Sequence, residues 1–177
     1  RRELVEVVSK SIARRMDQIV IDAMDAASSP STVATSVGGA GSNMNIEKLR
    51  AAAKAMNENN VPSEGRYLLM HASQLDALLG ETEVTSADFA TVKALVRGEI
   101  NSFMGFTFLT MGDRDEGGVP KPSTRTCFAY HKDAVGYAES MAQHSEINYV
   151  PEKTSFLVSF MFSAGAVAID DEGIVKI

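Results

Sequence analysis

The stretch that decides the fold is residues 3–24, ELVEVVSKSIARRMDQIVIDAM. Apolar residues recur there with the period of an amphipathic α-helix, and the pattern lasts for about six turns. These apolar positions are Leu4, Val5, Val8, Ile12, Met16, Ile19, Val20 and Ala23. The sequence therefore predicts one helix roughly 35 Å long. It ends near Ser28-Ser29-Pro30, because proline cannot continue a helix.

Composition places the chain among folded globular proteins. Of its 177 residues, 45% are apolar and 23% are charged. A chain of this length buries enough surface to form a core without disulfides or metals. Its single cysteine, Cys127, excludes a disulfide-stapled secreted domain and makes a reducing interior the default expectation.

Charge and hydropathy exclude two further classes. The 17 basic and 23 acidic residues give a net charge of −6, which argues against a protein that works mainly by binding nucleic acid. The longest apolar stretch, Phe156 to Ile169, is shorter than the roughly 20 residues of a membrane-spanning helix. No membrane partner is expected.

The remaining elements run from helix-rich to strand-rich along the chain. Residues 31–45 are rich in Ser, Thr and Gly and predict a flexible connector, and Asn45 is the expected N-cap of a second helix. Further helices are predicted at Ser73–Leu79 and from Thr85 to Gly98. Strands are predicted at Arg66–Met70, Phe106–Met111, Thr124–Tyr130, Ala134–Glu139, Ser145–Tyr149 and Thr154–Ile169, the last bent or bulged at Gly165. This order favours an α+β fold.

The residues that could carry chemistry do not form a recognisable set. His71, His131 and His144 have no acidic or cysteine partner at metal-ligand spacing, so each is interpreted as a surface or strand-edge residue. Cys127 lies in a strand pattern and is interpreted as a small apolar residue. The alternative is a cysteine nucleophile that the fold brings close to a histidine.

Two acidic clusters have ordinary explanations. Glu81, Glu83 and Asp88 precede a predicted helix, where carboxylates favour the helix dipole. The run from Asp113 to Glu116 lacks the ligand spacing of a calcium loop and is interpreted as a solvated loop. The sequence therefore predicts no catalytic, cofactor-binding or metal-binding residue, and no cofactor.

One charge pattern is less ordinary. The first half of the opening helix is basic, and its second half carries Asp17, Asp22 and Asp25, which is opposite to what the helix dipole favours. Neighbouring chains could supply the compensating charges, which makes Arg14, Arg15 and Asp17 candidates for subunit contacts. The alternative is a solvated helix face.

The centre of the chain resembles a known family. The run ETEVTSADFATVKALVRGEI at residues 81–100, followed by Phe103-Met104-Gly105-Phe106, closely resembles major capsid proteins of tailed bacteriophages. Arg66-Tyr67-Leu68-Leu69, with Ser73-Gln74-Leu75 and Leu78-Leu79 after it, shares the resemblance, as does Arg14-Arg15-Met16-Asp17. The resemblance covers nearly the whole chain.

The resemblance implies the Hong Kong 97-type fold. Residues 1–30 would be the spine helix of the peripheral domain, residues 31–140 the axial domain, and residues 141–177 peripheral-domain strands. In that family an N-terminal arm and an extended loop precede the spine helix. We expect this chain to be a fragment that lacks both, folding alone without closing a shell.

The implied function is structural. Copies would self-associate into an icosahedral shell, reside in the virion, and pass through the host cytoplasm before assembly. Implied partners are copies of the chain, with scaffolding or decoration proteins, and a DNA genome enclosed without sequence-specific binding. Two alternatives are an encapsulin-like shell that encloses enzymes, and a small α+β enzyme that uses Cys127 or a histidine.

Overall fold

The computed structural model describes residues 2–39, 43–80, 102–112, 118–121 and 125–177. In these residues three α-helices accompany eight β-strands. The helices are α1 (Arg2–Asp25), α2 (Ile46–Glu58) and α3 (Ala72–Leu79). The strands are β1 (Ser31–Thr32), β2 (Arg66–His71), β3 (Ser102–Phe103), β4 (Phe106–Met111), β5 (Phe128–His131), β6 (Val135–Val150), β7 (Ser155–Ala168) and β8 (Ile174–Lys176).

Six of these strands form one mixed sheet in the order β1-β8-β5-β2-β4-β3. β2 runs parallel to β4 and antiparallel to β5, which in turn pairs antiparallel with β8. One core contains α2 and α3 residues such as Leu49, Met56 and Leu78 together with Leu68 and Phe106. The second core joins the end of α1 to β2, β5 and β8.

The long first helix is confirmed. α1 spans 24 residues, and Ile12, Ile21 and Met24 are buried on its inner face. α1 contacts β7 and β6 of the hairpin, and its Ile21 and Met24 pack with Leu69, Phe128 and Ile174 of the large sheet. α1 therefore packs against both sheets.

The prediction of a flexible connector is wrong for residues 31–39. Ser31 and Thr32 form β1 and pair with β8, and Val33 is buried. The turn that follows is held by Asn45, whose side-chain Nδ2 donates to the Val37 carbonyl at 2.9 Å while its Oδ1 accepts from the Lys48 N–H at 2.8 Å. Asn45 is thus the predicted cap of α2 and also an anchor for the connector.

The remaining two strands, β6 and β7, pair with each other as a long antiparallel hairpin. The two strands predicted at 134–139 and 145–149 are one strand of 16 residues. Gly165 pairs in register with Ala138, so the predicted bulge at this glycine is wrong. The register shifts instead lie in β6, between Glu139 and Met141 and between Met141 and His144.

Several strand ends differ from the predicted segment boundaries: β2 ends at His71, β6 begins at Val135, and β7 is Ser155–Ala168. β8 belongs to the large sheet because it pairs with β5 and β1. The predicted strand at 124–130 is shorter, starting at Phe128. The predicted helix at 85–98 lies outside the described residues.

Among the described residues, no helix combines the length and the hydropathy that crossing a membrane requires.

Candidate functional site

The lone cysteine is placed as a core residue. Cys127 is 2% exposed and lies just before β5, where its backbone N–H and carbonyl both bond to Ile177. Burial raises the pKa of its thiol to about 11, although a backbone hydrogen bond from His71 and the charges of Lys48 and Arg125 oppose this shift. A thiol that stays protonated at neutral pH is a poor nucleophile.

The three histidines do not converge. His71 caps α3, with Nδ1 accepting from the Ser73 N–H at 3.1 Å. His144 is exposed on β6, with Nε2 3.4 Å from Glu146 Oε1. His131 is buried, so its interpretation as a surface or strand-edge residue is wrong. It is accommodated because both of its ring nitrogens find backbone partners, Glu64 and Asp133.

Within the described residues no group of three or more His, Cys, Asp or Glu side chains could hold a metal ion. Glu81, Glu83 and Asp88, and the run from Asp113 to Glu116, lie outside those residues.

The exposed face of α1 carries the predicted contact candidates. Arg14, Arg15 and Asp17 are all exposed. In the part of the chain that the structure describes, none of the three forms an ion pair, whereas Lys10 on the same helix pairs with Glu6 at 2.7 Å. Partial burial raises the pKa of Asp17. Asp17 also lies near Tyr130 of β5, because its charge helps to raise the pKa of that phenol.

The acidic end of α1 is compensated within the chain. Lys176 of β8 places its Nζ 3.0 Å from Asp25 Oδ1 and 2.6 Å from the Asp25 backbone carbonyl. A cation at the C-terminal end of a helix offsets both its dipole and the adjacent acid. The role of Lys176 could not be predicted from the sequence, because Lys176 follows Asp25 by 151 positions and no local pattern links the two residues.

The hairpin presents the largest collection of exposed apolar side chains. Those on its two strands are Tyr137, Met141, Ile147, Tyr149, Phe156, Leu157, Val158, Met161 and Val167. Near the turn, Ile147 lies opposite Val158 and Tyr149 lies opposite Phe156, so these four share one face. The rings of Tyr149 and Phe156 are 5.3 Å apart between centroids. Contiguous exposed apolar surface of this kind is typical of an interaction site.

Comparison with known proteins gives one family match. A sequence model of the family described as phage capsid protein matches residues 1–177. No curated protein sequence matches the chain.

Three solved structures have a similar fold. A structure titled "Mycobacterium phage Che8" has a TM-score of 0.75 at 19% sequence identity. The match covers 98% of this chain and 61% of the chain in that structure. The capsid structure of the cyanophage P-SCSP1u has a TM-score of 0.73 at 17% identity, and the match covers 99% of this chain and 64% of that one. A virus-like particle from Pyrococcus furiosus has a TM-score of 0.59 at 14% identity, and the match covers 93% of this chain and 61% of that one.

These likenesses confirm the predicted α+β fold. The chain spans less than two thirds of the length of each of these three structures, at 61%, 64% and 61%.

Proposed function

Because the chain belongs to the phage capsid protein family and shares the Hong Kong 97-type fold of phage capsid proteins, we propose that it is a structural subunit. Copies associate into an icosahedral shell that encloses a DNA genome and resides in the virion. The observation that carries this proposal is the family match over residues 1–177.

Two surfaces suit such a role. The hairpin exposes apolar side chains: the exposed fraction is 65% for Ile147 and 57% for Phe156. In a protein that stays monomeric, such a surface would favour aggregation. α1 offers the exposed charges of Arg14, Arg15 and Asp17, the contact candidates. Apolar surface supplies affinity, and the charges at its rim select the partner and the register.

The division into a spine helix (1–30), an axial domain (31–140) and peripheral strands (141–177) is part of the proposal. Contacts between α1 and β7 support grouping the helix with the hairpin. The pairing of β8 with β5 supports assigning residues 174–176 to the axial domain instead.

A chemically inert role fits the geometry of the described residues. Cys127 is buried with a raised pKa, and the histidines are committed to capping or lie apart. A capsid subunit needs association surfaces rather than a reactive centre. The enzyme alternative, based on Cys127 or a histidine, would need at least one of these groups to be accessible and activated.

The alternative with a similar fold is a shell that encloses protein cargo. The phage family match favours the DNA-enclosing shell.

Analysis of particle contents separates the two kinds of shell. Particles are purified from cells that make the natural protein, treated with nuclease, and then opened. We expect double-stranded DNA protected inside, with the capsid chain as the major protein. Particles that protect a stoichiometric enzyme and no DNA would contradict the phage assignment while leaving the shell architecture standing.

A further inference from the structure

His131 lies where the chain leaves the large sheet for the hairpin. It ends β5, and a single 3-10 turn, Lys132–Ala134, separates it from β6. The returning chain is bound to the same turn, because the N–H groups of Ile169 and Asp170 donate to the Ala134 carbonyl at 2.8 and 3.2 Å. This turn therefore holds both connections between the sheet and the hairpin.

Two hydrogen bonds determine which tautomer of the neutral His131 ring fits this site. Nδ1 lies 3.2 Å from the backbone nitrogen of Asp133, and Nε2 lies 2.8 Å from the backbone carbonyl oxygen of Glu64. A backbone N–H can only donate and a carbonyl can only accept. The ring satisfies both partners only as the neutral tautomer with its proton on Nε2, and at 6% exposure it has little access to water as a substitute partner.

We propose that His131 is a pH-sensitive latch at the 3-10 turn that connects the large sheet to the hairpin. The neutral ring stabilises this turn, and the protonated ring destabilises it. A second proton on Nδ1 faces the Asp133 N–H, donor against donor, and removes the cap of the 3-10 turn. The new proton stays on Nδ1, and the Asp133 carboxylate, with Oδ2 3.7 Å from Nδ1, can accept a hydrogen bond from it. The backbone N–H of Asp133 then loses its acceptor, so the turn weakens.

Charged groups on the neighbouring elements act in both directions. Arg66 on β2 lies directly opposite His131 in the strand pairing and repels a positive ring. Asp133 attracts it. Lys132 on the turn lies close to Gly65, and Glu64 contributes its backbone carbonyl.

Arg66 is itself fixed by hydrogen bonds to Pro62, Asn57 and Val61, so it cannot move away as the ring gains charge.

Amide hydrogen exchange, expressed as protection factors, tests the latch in the soluble protein. Acidification from about pH 8 to about pH 5 spans the range in which histidine changes charge. Protection at Asp133, Ile169 and Asp170 should fall at least about tenfold, the effect of losing roughly one hydrogen bond. Amides shared by β2 and β4 should not change. The ¹⁵N chemical shifts of the His131 ring should show the Nε2–H tautomer at the higher pH.

Two variants make the test specific. His131→Asn keeps an oxygen that accepts from the Asp133 N–H and that acid does not protonate, so its protection at these amides should not depend on pH. His144→Asn alters an exposed histidine and should behave like the natural protein. An Nδ1–H tautomer, no loss of protection in the natural protein, or the same loss in His131→Asn would overturn the proposal. The first two readouts need no variant to fold.

Discussion

At the scale of single residues, burial explains why the Cys127 thiol has a raised pKa. Its pKa of about 11 exceeds the ordinary thiol value of 9.0 because the interior disfavours the thiolate. The unfolded chain therefore ionises at lower pH than the folded protein. Stability that is fully present below pH 9 should decrease as the pH rises toward 11.

The Cys127 thiol should resist alkylation in the native state. At about pH 8 a shift of two pKa units leaves about a hundredfold less thiolate than in the unfolded chain. Mass spectrometry after iodoacetamide treatment should show no adduct on the folded protein and complete modification in denaturant. Rapid alkylation of folded protein would contradict the core placement and favour the nucleophile interpretation.

Gly38 allows the Asn45 cap to form. Its φ is +81°, and a Cβ there would lie 2.0 Å from Asn45 Nδ2. Gly38→Ala should therefore lower the free energy of unfolding by about 2–3 kcal/mol, combining left-handed strain with a weakened cap.

Gly112→Ala is the matched control for Gly38→Ala, since a Cβ at Gly112 would meet nothing within 4 Å. It should change stability by less than about 0.5 kcal/mol. Urea denaturation measures both variants, and equal effects would show that Gly38 is not special.

At the scale of elements, local patterns predicted what depends on neighbours in sequence. The apolar period predicted α1, the Asn45 cap predicted the start of α2, and β4 runs from Phe106 to Met111 as predicted. Local sequence patterns gave wrong predictions where a strand depends on pairing with a segment that is distant in the sequence. β1 forms only because β8 lies beside it, and β6 is one strand because β7 continues through its register shifts.

The Lys176–Asp25 contact shows the same limit at the end of α1. Lys176→Met should destabilise the protein by about 1 kcal/mol, because the helix C-terminus and Asp25 both lose their cation. Lys54→Met is the control, since Lys54 and Glu58 form an exposed pair at 3.6 Å and its loss should cost less than about 0.5 kcal/mol. Chemical denaturation that finds equal losses would contradict a capping role for Lys176.

At the scale of the whole molecule, the described residues expose apolar side chains along the hairpin and hold no cluster of metal-binding side chains. The absence of a clustered metal or nucleophile motif in the sequence left only the charge pattern of α1 and the family resemblance as indications of function. The apolar hairpin surface could not be predicted, because its exposure depends on which face of β6 and β7 meets α1.

Charge reversal on α1 tests the proposed contacts. In the natural protein that forms particles, Arg14→Glu with Arg15→Glu should impair particle formation, while the Tm of the unassembled protein changes little, since exposed charges contribute little to folding. Arg14→Lys with Arg15→Lys keeps the charge and should preserve most assembly. Electron microscopy and thermal denaturation provide the two readouts. Normal particles from the reversed variant would show that these charges make no subunit contact and favour the solvated-face interpretation.

Cryo-electron microscopy of particles formed by the natural protein tests the proposed shell. We expect closed icosahedral shells whose repeating density contains α1, the six-stranded sheet and the long hairpin, with the hairpin and the exposed charges of α1 against neighbouring copies. A protein that purifies only as isolated chains, or shells built from a different polypeptide, would contradict it.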